Sequence, residues 1–176
     1  MILKARSGAD YVFLSKSPGL LSLNDWIYPI TGRIVFRGTS RTIVTNTSWS
    51  AQNDQSKFTA VFDPDPEQIL TVNAPFKSTG FIIQSGTIIQ TNCSIFSFNS
   101  NIAPTGPFGE FVLESGATLI SNALTTSNPI IRLSGTRPVS LLYKNGANLI
   151  LRGQTPYIEA ASVLLEGTIV YGRSLG

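Results

Sequence analysis

Three carboxylates fall within five residues at Asp63, Asp65 and Glu67, in the run DPDPE. Hard oxygen ligands spaced this closely could hold a calcium ion. Two prolines stiffen the run, and it lacks the glycine-containing loop with which an EF-hand wraps its ion, so the plainer reading is a solvated rigid turn. Glu114 and Glu166 form a second acidic set, in similar places before Gly116 and Gly167. Two carboxylates on one face could serve as the acid and base of glycoside hydrolysis. Glu166 stands one residue nearer its glycine than Glu114 does, with Leu165 in the equivalent place, and a one-residue slip on a strand changes the face. The two are therefore not expected to work together, and no catalytic residue is assigned.

The sequence contains no histidine. That excludes a Ser-His-Asp triad, a His-based zinc site and a His-assisted glycosidase. Cys93 is the sole cysteine, so no internal disulfide can form, and it reads as a small residue at a strand edge. No cofactor and no metal site are expected. Arg33, Arg37 and Arg41, with Arg6 and Lys16, make the N-terminal part mildly basic. On a strand, Arg33, Val35 and Arg37 share one side while Ile34 and Phe36 share the other, so these cations read as a solvated face. Thirteen basic against ten acidic residues leave a net charge of +3, too small to draw the chain to nucleic acid or anionic lipid. No run of eighteen apolar residues is available to span a membrane. The start, MILKARSGADYVFLSK, lacks the apolar stretch of a secretory signal. Asn46-Thr47-Ser48 and Asn92-Cys93-Ser94 match the glycosylation sequon, as chance allows in a chain so rich in Asn and Ser.

The elements that must position these groups are short and recur. FIIQSGTIIQ (Phe81 to Gln90) is followed thirty residues later by FVLESGATLI (Phe111 to Ile120) and thirty later again by LLYKNGANLI (Leu141 to Ile150), with Gly86, Gly116 and Gly146 aligned. A step of twenty-one then brings VLLEGTIVYG around Gly167. Each copy reads as strand, bend, strand, and a unit of that kind cannot bury its apolar face alone. Counting from each glycine, Phe81, Phe111 and Leu141 form one column, Ile83, Leu113 and Tyr143 a second, and Ile89, Leu119 and Leu149 a third. All three are expected inward. Gln84, Glu114 and Lys144 form a polar column expected to face water. IIRLSG (130–135) and SIFSF (94–98) supply a further strand per coil, giving about three strands per turn.

With 42% hydrophobic and only 13% charged residues, and no apolar spacing of helical period, the chain is expected to be all-β. The fold expected is a single-stranded parallel β-helix, or β-solenoid. Residues 1–28 are expected as an N-terminal cap or docking segment and 29–176 as the β-helix domain. YPITGRIVFRG is matched to VLLEGTIVYGR, with Gly32 in the place of Gly167. An antiparallel sandwich or jelly roll is the alternative, since it too has many short strands and turns.

QSGTII, ESGATLI, KNGANLI and LEGTIVYG resemble the coils of right-handed parallel β-helix, or pectin-lyase-like, proteins. That superfamily includes polysaccharide lyases and hydrolases as well as phage tailspikes and other virion proteins. The enzymes' Asp pairs with nearby His, or calcium-binding Asp clusters with a catalytic Arg, have no counterpart here: His is absent, and Arg132 lies far in sequence from 63–67. The resemblance therefore implies the structural branch, a non-enzymatic component of a virus particle such as a minor capsid, cement or fibre protein, commonly a homo-oligomer. The particle would be its location, after synthesis in a host cytoplasm, and its partners would be copies of itself and other virion proteins.

A stack of coils leaves an unpaired edge at each end, and exposed edges recruit other chains unless covered. After Tyr171 the chain offers no helix, proline or charge run to cap its last coil. Val163, Leu164, Leu165, Ile169, Val170 and Tyr171 are thus expected to contact another subunit. The alternative function is a carbohydrate-binding or carbohydrate-active β-helix, with Tyr143, Tyr157 and Tyr171 as the aromatics that could line a groove for a glycan. An ice-binding face is not expected, because Thr42, Thr45, Thr47, Thr87 and Thr91 are irregularly spaced.

Overall fold

The computed structural model describes residues 10–15, 19–23, 31–45, 57–72, 76–78, 80–91, 96–98, 110–122, 131–133, 140–152, 158–160 and 162–171. These residues are all-β. The chain makes successive passes, or rungs. The first is β1 (Asp10–Ser15) and β2 (Gly19–Leu23), the second β3 (Thr31–Gly38) and β4 (Arg41–Thr45), the third β5 (Lys57–Pro64) and β6 (Ile69–Val72). From the fourth rung each pass has three strands. These are β7 (Phe76–Ser78), β8 (Gly80–Ile83) and β9 (Thr87–Gln90), then β10 (Phe96–Phe98), β11 (Glu110–Leu113) and β12 (Thr118–Ser121). The sixth rung is β13 (Ile131–Leu133), β14 (Ser140–Tyr143) and β15 (Asn148–Leu151), and the seventh β16 (Ile158–Ala160), β17 (Ser162–Leu165) and β18 (Thr168–Tyr171).

Like strands from successive rungs pair side by side. Sheet A runs β1-β3-β5-β8-β11-β14-β17, sheet B runs β2-β4-β6-β9-β12-β15-β18, and sheet C runs β7-β10-β13-β16. Every pairing among the described residues is parallel. The alternative, an antiparallel sandwich, does not account for them, whereas a stacked solenoid is consistent with them. β1 and β2 pair with β3 and β4, so a rung lies inside the segment expected as a cap. Residues 1–9, Lys16, Trp49, Cys93, Tyr157 and both sequons lie outside the described residues.

Two of the three expected inward columns stand as read. Phe111 pairs with Phe81 and Leu141, and Leu113 with Ile83 and Tyr143. The first continues to Ala60 and Ile34, the second to Phe62 and Phe36. Phe36 and Phe62 stack with centroids 5.3 Å apart, and Phe81 and Phe111 lie 5.5 Å apart. All four rings are buried.

The third column needs correction. Ile88, not Ile89, pairs with Leu119, and Ile89 pairs with Ile120. Between the last inward residue of sheet A and the first residue of sheet B lie six residues in the third rung (63–68, the first two still within β5), three in the fourth (84–86), four in the fifth and sixth, and two in the seventh (166–167). Counting from the bend glycine therefore slips by one residue in the fourth rung, which turns Ile89 outward and leaves Ile88 fully buried. Gly32 is a second correction: it lies within β3 opposite Phe58, whereas Gly167 is a bend residue. In the second rung the left-handed glycine is Gly38, the last residue of β3 before the bend, with φ 100°.

Sheet A is apolar on both faces over its middle rungs. Val35, Val61 and Val112 point away from the inward columns yet are only 3–6% exposed. Strands buried on both sides read as continuous apolar runs, which is what IVF, AVF, FII and FVL are. Ser78 joins sheets C and A: its hydroxyl accepts from Ala60 N–H (3.2 Å) and donates to the Gly80 carbonyl (2.8 Å).

The longest bend is organised by a type II turn, in which Gln68 N–H donates to the Asp65 carbonyl at 3.0 Å across Pro66 and Glu67. Glu67 takes φ 62°, the conformation that favours glycine. The Gln68 side-chain oxygen accepts from both Ser40 N–H (3.0 Å) and its hydroxyl (2.8 Å), and Ser40 Oγ accepts from Ile69 N–H (3.0 Å). Replacing Glu67 by Gly is expected to raise stability by about 1 kcal/mol, because a left-handed side-chain residue carries roughly that strain. Denaturant unfolding measures it, and a loss of stability would count against the turn as described.

Candidate assembly surface

All six residues read from sequence as an interface lie together on β17 and β18. Each is about half exposed, from Ile169 at 43% to Tyr171 at 60%. The inward Leu165 and Ile169 have Tyr143 and Leu149 as equivalents one rung earlier, and those are 1–2% exposed, while Leu142, Ile150 and Leu151, the equivalents of Leu164, Val170 and Tyr171, are half-buried. The difference follows from position: among the described residues β17 pairs only with β14 and β18 only with β15, so each has one unpaired edge and one open side.

The seventh rung is held to the sixth by a close approach. Its two-residue bend brings Glu166 N–H to the Tyr143 carbonyl (2.7 Å) and Thr168 N–H to the Ala147 carbonyl (3.1 Å). The Tyr143 hydroxyl sits against the carbonyls of Ala147 (3.0 Å) and Thr168. Burial raises its pKa above the usual tyrosine range, since the phenolate would lose its hydration. A Cβ on Gly167 would lie 2.5 Å from the Tyr143 ring and within 3 Å of the Lys144 and Ala147 carbonyl oxygens. Beside this corner is a hollow of about 350 Å³, lined by Ser115, Leu142, Tyr143, Lys144, Leu164 and Glu166 among others. Tyr143, one of the aromatics considered for a glycan groove, is a buried clasp, while Tyr171 is exposed on the last strand.

Along the A/B border the residue following each sheet A strand's last inward position forms one rail. Gln84 N–H donates to the Phe62 carbonyl, Glu114 N–H to Ile83, Lys144 N–H to Leu113 and Glu166 N–H to Tyr143. Arg37 and Asp63 are paired in the same register above them. The rail therefore reads Arg37, Asp63, Gln84, Glu114, Lys144, Glu166. The one-residue offset expected between Glu114 and Glu166 does not hold, because the shortened last bend restores Glu166 to the column. Lys144 stands between them, which separates the two carboxylates by two rungs, about 9–10 Å.

Lys144 Nζ lies 2.7 Å from a Glu114 oxygen, and Arg37 lies 2.6 Å from Asp63 Oδ2. Both pairs are largely solvated, so each contributes at most about 1 kcal/mol. Asp63 also accepts from the Ser85 hydroxyl on Oδ1 at 2.7 Å. Both of its oxygens are thus engaged within the protein, while Asp65 and Glu67 point to solvent. Among the described residues no three acidic, Cys or His groups converge on a point where a metal could sit, and no helix is long and apolar enough to cross a membrane.

Next to the rail, the outer face of sheet B is uncharged. Thr71, Ile89, Ile120, Ile150 and Val170 form one outward row, and Ile69, Thr87, Thr118, Asn148 and Thr168 another. Of the threonines that look irregular in sequence, Thr87 shares a column with Thr118 and Thr168. Sequence reading found the Gln84, Glu114 and Lys144 part of the rail but missed Glu166 and the threonine row, because these come into line only when residues are counted from strand ends and not from glycines. Comparison of the chain with protein-family models, with curated proteins and with solved structures found no match.

Proposed function

We propose that the protein is a non-enzymatic structural component that works through contacts between subunits, on the frame of a single-stranded parallel β-helix. A virus particle is its proposed setting, as a minor capsid, cement or fibre component; this part of the reading rests on the resemblance of the coil sequences to the structural branch of the β-helix superfamily. The observation that carries the subunit contact is the last rung. Six apolar side chains on β17 and β18 are half exposed, and among the described residues each of these strands is paired along one edge only; such an edge recruits another chain.

The test is light scattering coupled to size exclusion, with hydrogen exchange over 163–171. The full chain is expected to assemble with that segment protected, and Leu164→Lys to reduce the assembled mass and expose it. A wild-type chain that remains monomeric with 163–171 well protected overturns the reading. So does polysaccharide turnover that is lost in Glu114→Gln.

A further inference from the structure

The charged rail has a property that its individual ion pairs do not explain. From the second rung to the seventh its signs run plus, minus, neutral, minus, plus, minus. Read backwards against itself, Arg37 meets Glu166, Asp63 meets Lys144 and Gln84 meets Glu114. No charge meets its like. The rail is therefore complementary to a reversed copy of itself, with the centre between the fourth and fifth rungs.

From this we propose that two copies associate side by side through the outer face of sheet B, with their stacks running in opposite directions. This deepens the reading of subunit contacts but uses a surface other than the open end. Of the two-fold axes that lie in such a contact, one parallel to the strands keeps the bend-side borders of both sheets together and reverses one stack. It alone sets rail against reversed rail. An axis along the stack would place the rails on opposite borders.

The face between the borders suits a second copy. Its two outward rows carry no charge in the third to sixth rungs, while Arg152 stands at the far border of the sixth, so self-contact desolvates no ion within those rows. Its Ile and Thr rows repeat at about 4.8 Å, the interstrand spacing, and a surface with the same repeat can mesh with them. At the centre Ile89 meets the other copy's Ile120, and Thr87 its Thr118. Sheets packed face to face lie about 10 Å apart, and since Arg37–Asp63 and Lys144–Glu114 are paired within each rail, the rails meet as oriented ion pairs, Arg37–Asp63 against the other copy's Glu166 and Lys144.

Set about that centre the third to sixth rungs overlap, and four rungs by about four residues give a face on the order of 250 Å² per copy, well below the roughly 800 Å² of a standard interface. The pair is consequently weak in solution, and the bordering charges matter to it. Inside a larger assembly, high local concentration fills it.

Sedimentation of the full chain up to near-millimolar concentration tests this, in the wild type and in Leu164→Lys, which removes the contribution of the open end. A dimer is expected to persist in Leu164→Lys and to be lost in Leu164→Lys/Ile120→Lys. Because Ile120→Lys could disturb folding, the second test is electrostatic. Lys144→Glu is expected to raise the dimer dissociation constant about tenfold, since the contact occurs twice, and Asp63→Lys/Lys144→Glu to return it to within about threefold of the parent. The double variant loses both ion pairs within the chain, so a rail that merely stabilised the monomer would give no rescue. Absence of a dimer in Leu164→Lys, or no rescue by the double variant, overturns the proposal and leaves the open-end contact standing. Assembly that survives Leu164→Lys but is untouched by both Ile120→Lys and Lys144→Glu also overturns it.

Discussion

Phe111→Ala is expected to lower stability by about 3–5 kcal/mol, the usual cost of emptying a buried aromatic site. Phe111 is 1% exposed, tilts against Phe81 at 5.5 Å and pairs with Leu141 on its other side. The buried column is continuous from Ile34 through Ala60 and Phe81 to Phe111, so the cavity opens within the core. A whole domain of this size is stable by only about 5–15 kcal/mol, so much of the margin goes at once. In a stack whose rungs touch only their neighbours, the fifth rung also couples those before it to those after it. Denaturant unfolding should show a lower midpoint and, if the two halves separate, a broadened transition. A loss below about 1 kcal/mol would mean that Phe111 does not fill the column as described.

Gly167→Ala should detach the last rung selectively. The added methyl would meet the Tyr143 ring and two carbonyl oxygens between 2.5 and 2.9 Å away. The oxygens belong to backbone fixed by hydrogen bonds from the same bend, so the strand must move instead. Overpacking of this kind costs about 1–3 kcal/mol. Hydrogen exchange over 168–171 should accelerate while that over β8 and β11 does not change. Gly116→Ala is the control: it takes φ 81° with nothing within 4 Å of the new carbon, so only backbone strain of about 1 kcal/mol applies. Equal effects at the two glycines would refute the steric account.

Much of this architecture was legible in the residues. The sheet A columns could be read from Phe81, Phe111 and Leu141 because those strands begin at a constant interval of thirty. The sheet B column could not, because the fourth-rung bend is one residue shorter while the spacing of the glycines stays the same, and a strand reads out parity. Gly32 misled for a related reason. GRIVF and GTIVY look alike, but apolar β-branched runs are shared by sheets A and B, and only pairing partners tell them apart. The exposure of the six residues on β17 and β18 could be read because they belong to the last described rung of a repeat whose inward faces are covered by the next copy. Of the rail, Gln84, Glu114 and Lys144 could be read as one polar column, but Glu166 could not, since it falls into line only because its own bend is shortened. The calcium reading of Asp63 failed to anticipate Arg37 and Ser85, which sequence places 26 and 22 residues away.

The uneven corner between sheets A and B has a consequence for how such a chain can change. Two residues, three, four or six all close the same gap, because the strands on either side resume in register whatever lies between them. Closing a longer loop costs little, about 0.6 kcal/mol per doubling. Length at this corner is therefore nearly free to vary, while every position within the strands is fixed by its column. The turn at 65–68, tied down at its base by Ser40 and Gln68, is a natural socket: a foreign peptide seated there would be presented at the height of the third rung.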